Sequence, residues 1–176
     1  MKISKIFITF IGLLFAQLGC TQPPANRPVI NNAEFDKKLG QLLAFSVPLM
    51  SVSELNNSKE DIHIFDTREL SEYNVSHIKG AQYLGYDHFD PKLLADTPKD
   101  AVIVLYCSVG YRSEKIGEKL QKMGYKKVYN LYGSIFEWVN QGYPVVNKEG
   151  NVVSTIHTYN KNWSKWVSTP SITKIW

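Results

Sequence analysis

Residues 101–123 constrain the fold more tightly than any other stretch. Ala101-Val102-Ile103-Val104-Leu105-Tyr106 is an apolar run of strand length. It leads straight into Cys107-Ser108-Val109-Gly110-Tyr111-Arg112-Ser113, and a helix-like stretch, Glu114 to Met123, leads straight out. A cysteine at a strand end, in a tight loop that opens a helix, sits where backbone N–H groups and the helix dipole favour an anion. A thiolate is such an anion, so its pKa is expected to fall and its reactivity to rise. Gly110 lets the loop bend with its amides pointing inward.

The surrounding pattern alternates strands with helices. Asn31 to Phe45 carries Phe35, Leu39, Leu42 and Leu43 at helical spacing, with Asn31 or Asn32 as N-cap. Val47 to Val52 predicts a short strand, Ser53-Glu54-Leu55 a helical turn, and Asp61 to Asp66 a buried strand. A helix over Glu69 to Asn74 follows, then a turn at Gly80 into a short strand ending near Leu84. Asp90-Pro91 opens another helix, with proline at its first position. Beyond the helix 113–123, Lys127 to Leu131 reads as a strand and Gly133 to Gln141 as a helix. After Pro144, Asn151 to Ile156 suggests a strand and Tyr159 to Val167 a short helix. Such alternation predicts an α/β fold with a mainly parallel central sheet flanked by helices. Active sites in such sheets lie at the C-terminal ends of strands, where Asp66 and Cys107 both fall.

Hydrophobic residues make up 44% and charged residues 20% of the 176, as in a globular domain. The net charge of +4 falls to +2 without residues 1–19, which contain Lys2 and Lys5 and no acid (18 basic against 16 acidic). No basic stripe remains, so nucleic acid is not an expected partner. Residues 1–19 read as a signal peptide, with Lys2 and Lys5 before an apolar stretch from Ile6 to Ala16 that is short for a bilayer span. Leu18-Gly19-Cys20, followed by a polar tether to residue 30, resembles the lipobox of bacterial lipoproteins, with Gln17 where Leu is usual. This resemblance implies lipidation at Cys20 and a membrane-anchored protein facing the periplasm or cell exterior. The alternatives are an ordinary signal peptide and an uncleaved anchor. If Cys20 carries lipid, Cys107 is the only thiol left in the mature chain, and no internal disulfide can form.

Asp66-Thr67-Arg68-Glu69, Glu72-Tyr73, His77-Ile78-Lys79-Gly80-Ala81, the Cys107–Ser113 loop, Gly133, Trp138 and Gly142-Tyr143-Pro144-Val145 occur in the order seen in rhodanese-like domains. The chain resembles that family over residues 47–146, after a helical segment 31–46 and before an aromatic extension 147–176 expected to pack on the domain. Two positions depart from it: Ser76 and Ser134 stand where the family commonly has glycine. Four residues separate Cys107 from Arg112, whereas the phosphatase-like members of this fold have five. The shorter loop suits sulfur rather than phosphate.

The resemblance implies the three-layer rhodanese-like fold and a sulfurtransferase. Cys107 would take sulfane sulfur from a donor such as thiosulfate, become a persulfide and pass the sulfur to a thiol or cyanide. Ser108, Val109, Gly110, Tyr111 and Arg112 would hold the sulfur anion and the substrate. Arg112 has two open roles, attracting an anionic donor or bracing the loop through a carboxylate. Asp66 and Arg68 read as an ion pair supporting the neighbouring loop, Ser113 as the cap of the next helix or as a hydroxyl that reaches the loop, and His77 as structural. His63, His88 and His157 show no ligand spacing, so neither metal nor cofactor is expected. With no second thiol, an external thiol would have to keep Cys107 reduced. The rival readings are a non-catalytic persulfide carrier, sensor or interaction module, and a phosphatase or arsenate reductase of the same fold.

Overall fold

The computed structural model describes residues 23–176, so Cys20 and the signal-like stretch lie outside the described residues. The chain runs α1 (Ala33–Leu42), β1 (Leu49–Met50), α2 (Val52–Asn57), β2 (Ile62–Asp66), α3 (Leu70–Val75), β3 (His77–Ile78) and β4 (Gln82–Tyr83). It continues with β5 (Val102–Tyr106), α4 (Tyr111–Lys122), β6 (Lys127–Leu131), α5 (Ser134–Asn140), β7 (Val145–Val146), β8 (Val152–Val153), β9 (Thr155–His157) and β10 (Thr173–Ile175). The central sheet has the order β1-β6-β5-β2-β4, and every pairing in it is parallel. β3, β7 and β8 form a small antiparallel sheet, and β9 pairs with β10 in parallel.

The central strand β5 shows why the apolar run needs helices on both sides. Side chains alternate across a strand. Val104 and Tyr106 join one core cluster, with Phe35 and Leu39 of α1 and Ile135 and Phe136 of α5. Ile103 and Leu105 join the other, with Ile116 and Leu120 of α4. Each helix is amphipathic enough to cover one face, so the strand is buried on both. This stacking places the C-terminal end of β5, and with it Cys107, between the starts of α4 and α5.

Several boundaries differ from the sequence expectation for local reasons. The strand expected over Val47–Val52 is confined to Leu49–Met50, because Ser51 and Glu54 form a capping box that starts α2 at Val52. The helix expected after Asp90-Pro91 is a single 3-10 turn, Pro91–Leu94. The strand expected over Asn151–Ile156 is broken at Ser154 into β8 and β9. The helix expected over Tyr159–Val167 shrinks to a 3-10 turn, Ser164–Trp166. Ser113 does not cap α4. The helix starts two residues earlier, at Tyr111, behind Gly110 in a left-handed conformation (φ 117°).

The C-terminal segment lies against the domain. Trp166 stacks on Phe35 of α1 with ring centroids 5.4 Å apart. Asn140, the last residue of α5, donates from Nδ2 to the Trp166 carbonyl at 2.8 Å and accepts the Ser168 N–H at 2.8 Å. Thr169 Oγ1 donates to the Val139 carbonyl at 2.8 Å. Trp166 is thus both a core residue and the anchor of the tail. Trp166→Ala is expected to cost about 3–5 kcal/mol, the range for deleting a large aromatic from a core. A lowered urea midpoint with an unchanged m-value would show it.

Candidate active site

Cys107 lies at the floor of a cleft of about 290 Å3, with only 1% of its surface exposed. The loop wraps around its sulfur. The Gly110 N–H donates to Sγ at 3.1 Å, which the left-handed turn at Gly110 makes possible. The first turn of an α-helix leaves its N–H groups unpaired, and a capping side chain usually accepts from one of them. Here the cap residue is glycine, and the sulfur occupies the capping position.

Burial alone would push the Cys107 thiol up. The Arg112 charge and the N–H groups of Ser113, Gly110 and Val109 outweigh it and bring the pKa below the ordinary thiol value. Arg112 stays a cation. Burial opposes its charge, but the Glu72 carboxylate and the Cys107 sulfur more than compensate.

Glu72 closes the loop. Arg112 Nη1 and Nη2 donate to its two carboxylate oxygens at 2.6 and 2.8 Å, a bidentate pair. Ser108 Oγ donates to Glu72 Oε1 at 3.2 Å and accepts from Arg112 Nη2 at 3.0 Å. Burial would raise the Glu72 pKa, yet Arg112, Arg68 and the Glu69 N–H bring it below the usual carboxylate range. Of the two roles open to Arg112, the structure shows the brace. The sequence pointed to a carboxylate partner without naming it. Glu72 sits 40 residues upstream, and the only hint was its place in the Glu72-Tyr73 motif.

Two further contacts hold the cysteine backbone. The Cys107 N–H donates to Ser134 Oγ at 3.2 Å, and Ser134 Oγ donates to the Leu131 carbonyl at 3.1 Å. Two amides in the first turn of α5, on Ile135 and Phe136, donate to the carbonyls of Cys107 and Ser108 at 3.2 and 3.3 Å. Ser134 holds a positive φ of 53°, the backbone region glycine enters most freely. It therefore keeps the conformation a glycine would take and adds a hydroxyl that pairs a buried N–H. Ser113 Oγ donates to Asn130 Oδ1 at 2.7 Å, and Asn130 Nδ2 donates to the Gly110 carbonyl at 3.0 Å. Ser113 supports the loop through Asn130 rather than by capping.

Ser108, Val109, Tyr111 and Arg112 line the cleft with Cys107. Asp66 and Arg68 do not. Both are fully buried, and Arg68 donates to Asp66 Oδ2 at 2.6 Å and to the Ser76 carbonyl at 2.6 Å. The pair braces the 66–76 turn. His77 stacks on Tyr73 (3.9 Å between centroids), away from the cleft lining. The lining residues sequence reasoning missed come from elsewhere along the chain: Leu42 of α1, Glu69 just before α3, Tyr86 and Asp87, and Tyr159 and Trp163 of the C-terminal extension. His157 Nδ1 lies 4.0 Å from Glu72 Oε1. Burial outweighs that carboxylate and lowers the imidazole pKa. Nδ1 accepts the Tyr159 N–H at 3.1 Å, which marks it as unprotonated.

Fold and site together define a parallel α/β domain that holds a single cysteine in a ring of amides at the end of its central strand. The rhodanese-like domain model matches residues 51–141, just over half of the sequence, and the chain belongs to that family. A sulfurtransferase of Allochromatium vinosum is 35% identical over 100 residues, covering 57% of this chain and 92% of its own length. A tRNA uridine(34) hydroxylase of Erwinia tasmaniensis is 32% identical over 115 residues, of which this chain spans only 33% of the length. The solution structure of a rhodanese-like domain from Anabaena shares the fold, with a TM-score of 0.53 at 23% identity over 57% of this chain and 79% of that one. The relatives support sulfur transfer as the general chemistry of the domain.

Alkylation of Cys107 by iodoacetamide, followed on its own peptide, tests the electrostatics. The thiolate is the reactive form, so a depressed pKa puts the midpoint of the rate–pH curve below that of a free cysteine, about 8.5. Removing a stabilising cation raises the pKa, so Arg112→Met is expected to move the midpoint to higher pH. Ionisation at a depressed pKa also stabilises the fold above the unfolded thiol's pKa, and that contribution is lost as the pH falls through the folded value.

Proposed function

We propose that the protein is a sulfurtransferase that carries sulfane sulfur as a persulfide on Cys107. The observation that carries this reading is the loop itself, with amides and Arg112 converging on one sulfur atom. The same donors that hold the thiolate can hold the terminal sulfur of a persulfide, in the manner of an oxyanion hole. In the first half-reaction the Cys107 thiolate attacks the outer sulfur of thiosulfate, the sulfur–sulfur bond breaks, and sulfite leaves with the electron pair. In the second, a nucleophile such as cyanide or a thiolate attacks the outer sulfur and the Cys107 thiolate departs. No redox equivalent is consumed. Ser134 and α5 fix the backbone while Glu72 and Ser108 fix Arg112, so the loop need not reorganise between the two states.

Incubation with thiosulfate is expected to add roughly 32 Da to the Cys107 peptide, the mass of one sulfur. Cyanide should then remove it, and Cys107→Ser should take up none. A chain that gains no sulfur from any donor would sink the proposal.

The N-terminal sequence supports a location outside the cytoplasm. Positive charge, a short apolar stretch and Gly19-Cys20 before a polar tether fit processing at Cys20 and attachment to a membrane through lipid. Sulfur would then be delivered in the periplasm or at the cell surface, with an external thiol as reductant. Labelling with a fatty acid in bacterial cells should depend on Cys20. If Cys20→Ala leaves the label and membrane retention unchanged, the lipid assignment fails.

A further inference from the structure

The cleft above Cys107 is completed by residues from outside the matched family region, residues 51–141. Leu42 comes from before it, and Tyr159 and Trp163 from the C-terminal extension. These late residues are held in place. β9 is paired along its length with β10, and Thr158 donates from both its N–H and its hydroxyl to the Ile175 carbonyl at 2.7 and 3.1 Å. Tyr159 adopts a left-handed backbone (φ 64°), secured by its N–H bond to His157 Nδ1. Tyr159 is 54% exposed, and the centroid of its ring lies 5.3 Å from the Arg112 guanidinium.

The lining has a chemical bias. It carries one cation, Arg112, and two carboxylates, Glu69 and Asp87. Arg112 is already engaged by both oxygens of Glu72. A small dianion entering here loses its hydration and must share that single cation with the Glu72 carboxylate and the Cys107 sulfur. The rest of the lining is mainly apolar, with the rings of Tyr86, Tyr111, Tyr159 and Trp163. An aromatic or aliphatic body gains from burial against such rings.

We infer that Tyr159 and Trp163 make the C-terminal extension a specificity element, selecting a sulfur donor with one negative charge and an apolar or aromatic organic body over inorganic thiosulfate. The inference rests on the sulfur transfer proposed above. With an aryl thiosulfonate the Cys107 thiolate attacks the outer sulfur, the sulfur–sulfur bond breaks, and the aryl sulfinate leaves with the electron pair. Charge balances, with two anions before the step and two after.

The test compares kcat/KM for benzenethiosulfonate and for thiosulfate, with cyanide as acceptor, on the full chain. The two donors differ in intrinsic reactivity, but that difference cancels when the ratio of a variant is divided by that of the wild type. Tyr159→Ala and Trp163→Ala are each expected to lower the aryl-to-thiosulfate ratio by roughly two- to tenfold, the scale of one aromatic contact. Tyr159→Phe, which keeps the ring, should retain the wild-type ratio. Urea unfolding of each variant confirms that a folded protein is being compared. If Cys107 still loads sulfur and both alanine variants keep the wild-type ratio, the specificity assignment is overturned and sulfur transfer stands. If Cys107 loads from neither donor, sulfur transfer itself is overturned.

Discussion

A sulfur anion that is almost wholly removed from water needs donors to replace its hydration, and the rest of the domain is arranged to supply them. The Gly110 N–H and the opening turn of α4 point at Sγ because the chain turns left-handed at Gly110. The helix gains an acceptor for amides that would otherwise lack one, and the sulfur gains its counter-field. Neither α4 nor the thiolate is satisfied alone. This mutual dependence explains why the loop is braced from three directions: by Glu72 through Arg112, by Asn130 through the Gly110 carbonyl, and by α5 through the cysteine backbone.

The parts of this arrangement that were legible in the sequence are the local ones. The apolar run 102–106, the cysteine at its end and the helix after it follow from periodicity and turn chemistry within a single segment. The parallel order of the sheet followed from alternation of element types. What could not be read is what depends on distant segments meeting. Glu72, Ser134, Tyr159 and Trp163 approach the cysteine loop only because the sheet order and the tail's path bring them there. Charge type hinted at a partner for Arg112, but several carboxylates were available. Histidine spacing along the chain likewise gave no sign that His157 would end up beside Glu72.

The two family departures have different outcomes. Ser134 has a clear task, since its hydroxyl accepts from the Cys107 N–H at a backbone angle that glycine would otherwise suit. Ser76 has none that the structure explains. Its carbonyl receives Arg68, but its hydroxyl is buried without a hydrogen-bond partner. One of the two serines therefore adds a contact to the cysteine loop, while the other is only accommodated beside it.

α5 has seven residues, and both of its ends are committed. Two amides in its first turn hold the carbonyls of Cys107 and Ser108, and its last residue, Asn140, holds the chain at Trp166 and Ser168. So short a helix behaves as a stiff strut, with no interior turn free to absorb displacement. The helix therefore ties the tail directly, over about 10 Å at 1.5 Å per residue, to the peptide groups that aim the sulfur. The anchoring of the tail and the aim of the cysteine are thus properties of one short helix.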